Sequence, residues 1–183
     1  MNQNNPSIHV EEELSVVINS DESCAISTSG RCSVIGNVGA SASINNSGAF
    51  SYISSSGFNS SIKNGREGVQ ISVAGDYSRI DNTGKACYIS SSGDSTEVFN
   101  TGKSSKISCL GANSNVLNSG AFAEIHISGY QSSVDSHAES VFIHCTGFFA
   151  RVESRGRNAV ISMVKGGKFK AGEGSSVSVS VTK

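Results

Sequence analysis

The chain of 183 residues has no tryptophan, one proline and two methionines, and only 16% of it is charged. Its bulk is serine, asparagine and 20 glycines, a mixture that in isolation reads as disorder. A further absence opposes that reading: there is no charge excess, since 14 basic against 15 acidic residues leave −1. Isoleucine and valine also recur along the whole length. No apolar run approaches the roughly 18 residues of a membrane-spanning helix. The opening "MNQNNPSIHVEEEL" has no basic segment followed by an apolar one, so it does not read as a secretory signal, and the expected compartment is the cytoplasm. Five cysteines, an odd number at irregular spacing, fit free thiols of a reducing compartment rather than a disulfide framework.

What is present is a repeat. Stepping by nine from Ile8 meets Val17, Ile26, Ile35, Ile44, Ile53, Ile62, Ile71, Ile80, Ile89, Val98, Ile107, Val116, Ile125, Val134, Ile143, Val152 and Ile161, then Lys170 and Val179. Nineteen of 20 positions are Ile or Val, which composition alone does not produce. With this residue as position 1, position 5 is Gly in 14 units and position 8 is small or β-branched. Strand alternation places positions 8, 1 and 3 on the inner side and 7, 9 and 2 on the outer. The glycine at position 5 is expected to supply a left-handed or otherwise tight corner.

A second period overlies the first. Position 3 reads Asn46, Asn64, Asn82, Asn100 and Asn118 in alternate units, but Ser55, Val73, Ser91, Cys109 and Ile127 in the others. The full repeat is therefore a pair of nonapeptides with two unlike faces. The expected fold is all-β: a two-faced β-solenoid of about ten 18-residue coils, stacked at about 4.8 Å, its asparagines in an amide ladder. Nothing in the residues selects its handedness. Residues 1–183 form a single domain, with regular coils over 8–164. Lys165, Lys168 and Lys170 break the pattern, so 165–174 is expected as an irregular loop or distorted coil and 175–183 as a terminal capping strand.

"SSSGDSTEVFNTG" and "NSGAFAEIHISG" resemble the nonapeptide-repeat β-solenoid (β-helix) proteins of bacterial or phage origin, with their Ser-Gly corners and isoleucine rows. The resemblance covers nearly the whole chain and is architectural. It implies a binding role, since some small phage β-helices inhibit host systems. The corners depart from calcium-binding β-rolls, which carry paired Gly and Asp.

The outward residues hold the candidate sites. Phe50, Tyr52, Tyr88, Phe122 and Phe142 are all expected to be exposed on one side, joined by His126 and His144, and together suggest a contact surface. Glu124, His126 and His144 have the residue types of a metal set. Their column otherwise reads Ser54, Ser72, Ser90 and Ser108, so they are read as a surface ladder, with no metal and no cofactor expected. No "GxSxG" elbow occurs and no insertion builds a cleft, so no enzyme is expected and no catalytic residue is assigned. Charge is uneven: residues 1–100 carry five Lys/Arg against ten Asp/Glu (−5), and residues 101–183 nine against five (+4). Arg151, Arg155, Arg157, Lys165, Lys168 and Lys170 concentrate the positive end and are candidate anion-binding residues. The expected function is non-catalytic binding by protein–protein contact, its most concrete form a phage or mobile-element inhibitor of a host system. Alternatives are nucleic-acid or other anion binding at the basic end, and a structural, self-assembling rod. The expected partners are a protein, a second copy of the chain (a homo-oligomer, a dimer first), or less readily nucleic acid, and not a membrane.

Overall fold

The computed structural model describes residues 6–164 and 166–180. The chain winds through 20 strands, nearly all of four residues, into two ten-stranded parallel sheets. Odd-numbered strands form the first sheet, from Ser7–Val10 to Lys168–Ala171. Even-numbered strands form the second, from Val16–Asn19 to Ser176–Ser180. The fold is an all-β solenoid of about 10 turns, each of about 18 residues. Each regular strand pairs in register with the strand one coil away, so Ile80 lies over Ile62 and under Val98, and Ile89 between Ile71 and Ile107. Identical positions therefore stack into columns along the rod.

The core is thin. Every Ile or Val from Val17 to Ile161 at position 1 is buried, each of the isoleucines at most 1% exposed. Complete burial of such a side chain contributes about 1.5–3 kcal/mol. Position 8 adds small residues whose hydroxyls turn back onto the corner. Ser33, Ser51, Ser60, Thr96 and Ser105 each donate to the carbonyl of the position 5 glycine three residues earlier. Those buried polar groups are satisfied locally, which is why serine can line the wall.

The corner glycines work differently from expectation. Over the regular coils position 5 does not adopt positive φ. The left-handed residues are at position 7, and 16 of them are not glycine, among them Tyr77 (φ 55°), Ala86 (φ 53°) and Phe122 (φ 59°). Gly84 is required by close approach: a Cβ there would lie 1.8 Å from the Arg66 carbonyl oxygen of the preceding coil. Stacked backbones leave no room for a side chain at this point.

The C-terminal end also corrects the expected boundaries. Lys168–Ala171 is a strand inside the segment expected as loop, and it pairs with Arg151–Ser154 one position short of the regular repeat. The next strand comes one position earlier still, so Val177, not Val179, sits over Ile161. Shifting a strand by one residue exchanges its faces. Phe169 thereby takes the inward slot beside Val152, while Lys168 and Lys170 point outward. The slip sets an apolar residue rather than a lysine over the end of the core, where Phe169 remains half-exposed. Lys165 and the last residues 181–183 lie outside the described residues. No helix among the described residues is long and apolar enough to cross a membrane.

Candidate functional site

The two outer sheet faces differ in chemistry. On the first sheet, position 9 runs Ser43, Ser61, Arg79, Glu97, Asn115, Ser133, Arg151. Its charges are internally paired. Arg79 meets Asp81 at 2.9 Å and Glu97 at 3.4 Å, and its guanidinium lies 3.9 Å from the centre of the Phe99 ring, covering the one large aromatic of that central face.

On the second sheet the same column reads Val16, Val34, Tyr52, Gln70, Tyr88, Lys106, Glu124, Phe142, Val160. The two tyrosines, Phe142 and the three valines are exposed. Beside it runs a column of small residues, Gly36, Ser54, Ser72, Ser90 and Ser108, leading to His126 and His144. The expected aromatic surface is thus present, with one refinement. Tyr52, Tyr88 and Phe142 stand on the flat sheet, whereas Phe50 and Phe122 occupy left-handed corner positions at its leading edge. Phe50 lies against Gly68, the one glycine of the regular corners at position 7, where a Cβ would meet its ring at 2.4 Å. Arg31 sits 5.5 Å from the centre of the same ring.

His126 and His144 stack with ring centres 5.5 Å apart. Glu124 accepts from Lys106 at 2.9 Å and contacts His126 at 2.9 Å. The Lys106 bond, then that of His126, holds the Glu124 carboxyl below its ordinary range. Each of its oxygens thus already has one partner, and among the described residues no three His, Cys, Asp or Glu side chains are grouped to hold a metal ion.

The cations expected as an anion site are largely neutralised within the fold. Glu153, only 8% exposed, accepts from Arg155 at 2.9 Å, Arg151 at 3.2 Å and Lys170 at 3.3 Å. Arg155 also reaches Asp135, and Arg157 reaches Glu173 at 3.6 Å. The three cations, Arg155 foremost, hold the Glu153 carboxyl down at about 2. Lys168 is exposed at the end of the rod, and Lys165 lies outside the described residues.

Two surfaces were missed by the sequence reading. The corner leading into the first sheet carries Phe58, Tyr77, Tyr130, Phe148 and Phe149, all exposed, with Phe58 and Tyr77 rings 5.3 Å apart and Tyr130 and Phe149 rings 5.5 Å apart. They occupy positions 6 and 7, where only turn residues were sought. The opposite corner forms an open groove of about 650 Å³, lined by Arg31, Arg66, Lys85 and Lys103 with Ser47 and Thr83. Lys85 is paired with Glu67 at 3.0 Å, while Arg31, Arg66 and Lys103 have no acidic partner among the described residues. Three of the four cations come from the half of the chain that is net acidic, so the summed charge of that half conceals them.

Of the five cysteines, Cys32 alone is exposed. Burial pushes the Cys109 thiol up to about 12 and raises those of Cys24, Cys87 and Cys145, leaving them as small core residues. Comparison with known protein families, with curated proteins and with solved structures finds no match.

Proposed function

We propose that the protein is a non-catalytic binding rod that acts by protein–protein contact through the outer face of its second sheet. The observation that carries this reading is the contrast between the two faces. On the first sheet the charges from Arg79 to Glu153 close on one another, Lys63 and Lys168 alone having no acidic partner among its described lysines and arginines, while the second leaves Tyr52, Tyr88, Phe142 and three valines uncovered in one straight column. Aromatic side chains on a flat, ordered strand supply contact area at little entropic cost. The serine column beside them gives small, hydrogen-bonding ground into which a partner can press. The repeat motifs that resemble phage β-solenoids support, as the most concrete form of this role, an inhibitor that covers part of a host protein.

A second reading, binding of nucleic acid or another polyanion, is favoured by the groove cations Arg31, Arg66 and Lys103 more than by the C-terminal end, whose cations are engaged by Glu153 and Glu173. The readings separate by salt. Phosphate contact releases counterions and weakens steeply as salt rises, whereas an aromatic face does not. Capture of partners on immobilised protein therefore tests the first reading. Replacing Tyr52, Tyr88 and Phe142 by Ser is expected to abolish capture. Unchanged capture, or capture lost only at high salt, contradicts it.

A further inference from the structure

Resting on that reading of the second sheet, we infer that the partner is a second copy of this chain, packed face to face and antiparallel about a two-fold axis that crosses the column at Tyr88. A two-fold running along the strand direction reverses the rod axis but keeps strand direction. It therefore sets position 9 of one copy against position 9 of the other. Tyr88 is the middle of the nine column members from Val16 to Val160. The axis at that level pairs Val16 with Val160, Val34 with Phe142, Tyr52 with Glu124 and Gln70 with Lys106. Apolar residues meet at both ends, the Tyr52 hydroxyl meets a carboxylate, and the Lys106 ammonium meets an amide oxygen.

The neighbouring column agrees independently. The same axis sets Gly36 against His144, Ser54 against His126, Ser72 against Ser108 and Ser90 against itself. Each imidazole faces a residue with little or no side chain, as interdigitation between sheets about 10 Å apart requires. Moving the axis half a coil toward Lys106 sets Val16 against Ser176, an exposed apolar group on a polar one. Moving it half a coil the other way brings Val34 onto Glu124, an apolar group on a charge. Shape and charge thus select one level. Nine coils of four-residue strands present a face of about 43 by 15 Å, so two copies cover about 1,300 Å² in total, within the range of stable interfaces.

The test uses the full chain with Cys32→Ser, which removes its single exposed thiol. Sedimentation is expected to give a dimer. With Tyr88→Cys the two thiols face each other across the axis, so the protein is expected to cross-link to itself with a short bis-maleimide reagent, the sheet spacing being longer than a disulfide spans. Tyr52→Cys is expected not to self-link, because its two copies lie about four coils, or about 19 Å, apart. It is expected to link when mixed with Glu124→Cys. Tyr88→Arg, which sets two guanidiniums against each other, is expected to weaken association by more than about tenfold with the strand signal in circular dichroism unchanged. A monomeric mass overturns the inference, as does self-linking by Tyr52→Cys or failure of Tyr88→Cys to link in a dimer. A monomer whose capture of another protein is lost with Tyr88→Ser refutes the dimer alone. A monomer indifferent to every change on this face refutes the functional reading as well.

Discussion

The Asn82 side chain donates to Asn100 Oδ1 of the next coil at 2.7 Å and, with its other hydrogen, to the Gly84 carbonyl at 2.9 Å. The pattern repeats from Asn46 through Asn118, and a shorter one joins Asn19 to Asn37 in the second sheet. Each amide thus serves as ladder and as corner brace together. All the donors point the same way along the rod, an alignment in which neighbouring bonds polarise one another.

Replacing Asn82 by Ala is expected to destabilise the rod by about 2–4 kcal/mol, because the donor of Asn64 and the acceptors at Asn100 and Gly84 all lose a buried partner. Asn82→Asp keeps the shape but supplies no donor when ionised, and is expected to cost at least as much at neutral pH. Chemical denaturation of both variants checks this.

The corner predicts two substitutions of opposite sign only two residues apart. Gly84→Ala drives a Cβ into a backbone carbonyl and is expected to cost about 3 kcal/mol or more. Ala86→Gly relieves a left-handed alanine at φ 53° and is expected to stabilise by about 0.5 kcal/mol, the steric relief exceeding the extra freedom of the unfolded chain. Thermal melts of the pair measure both signs.

The isoleucine rows, the two-nonapeptide coil and the asparagine column were legible because each repeats at fixed spacing and each residue type has one physical reason to recur. The left-handed site at position 7 was hidden, because its occupants, such as Tyr77, Ala86 and Phe122, are not residues that favour that conformation; stacking imposes it. The one-residue slip before Lys168 does not follow from the nine-residue count, which makes 165–174 an irregular loop or distorted coil, although Lys168 and Lys170 are the signal that the register must slip. The outward aromatics Tyr52, Tyr88 and Phe142 followed from strand alternation, while Phe58, Tyr130 and Phe148 on the corners obey no alternation. Arg151 and Arg155 flank Glu153 two residues away along one strand, a pairing that strand alternation allows, whereas Lys170 meets Glu153 only through the slip.

Glu153 makes acid stability sensitive to one residue. Its folded-state value, about 2, lies below the ordinary carboxylate value of about 4.3. Its contribution is therefore full above about pH 4.3 and is lost as pH falls through about 2. Glu153→Gln is expected to melt below the parent protein at neutral pH, and the difference is expected to shrink across that acid window. A difference independent of pH would show that charge is not its source.

The central claim is that the second sheet's outer face is the contact surface, and a binding titration of two matched variants tests it most directly. Tyr52, Tyr88 and Phe142 to Ser on the second sheet is compared with Phe99 and Leu117 to Ser on the first, against whichever protein, self or other, the parent chain binds. The account predicts a loss of affinity of about 100-fold or more for the first variant and little change for the second. Equal affinities for the first variant and the parent chain would contradict it.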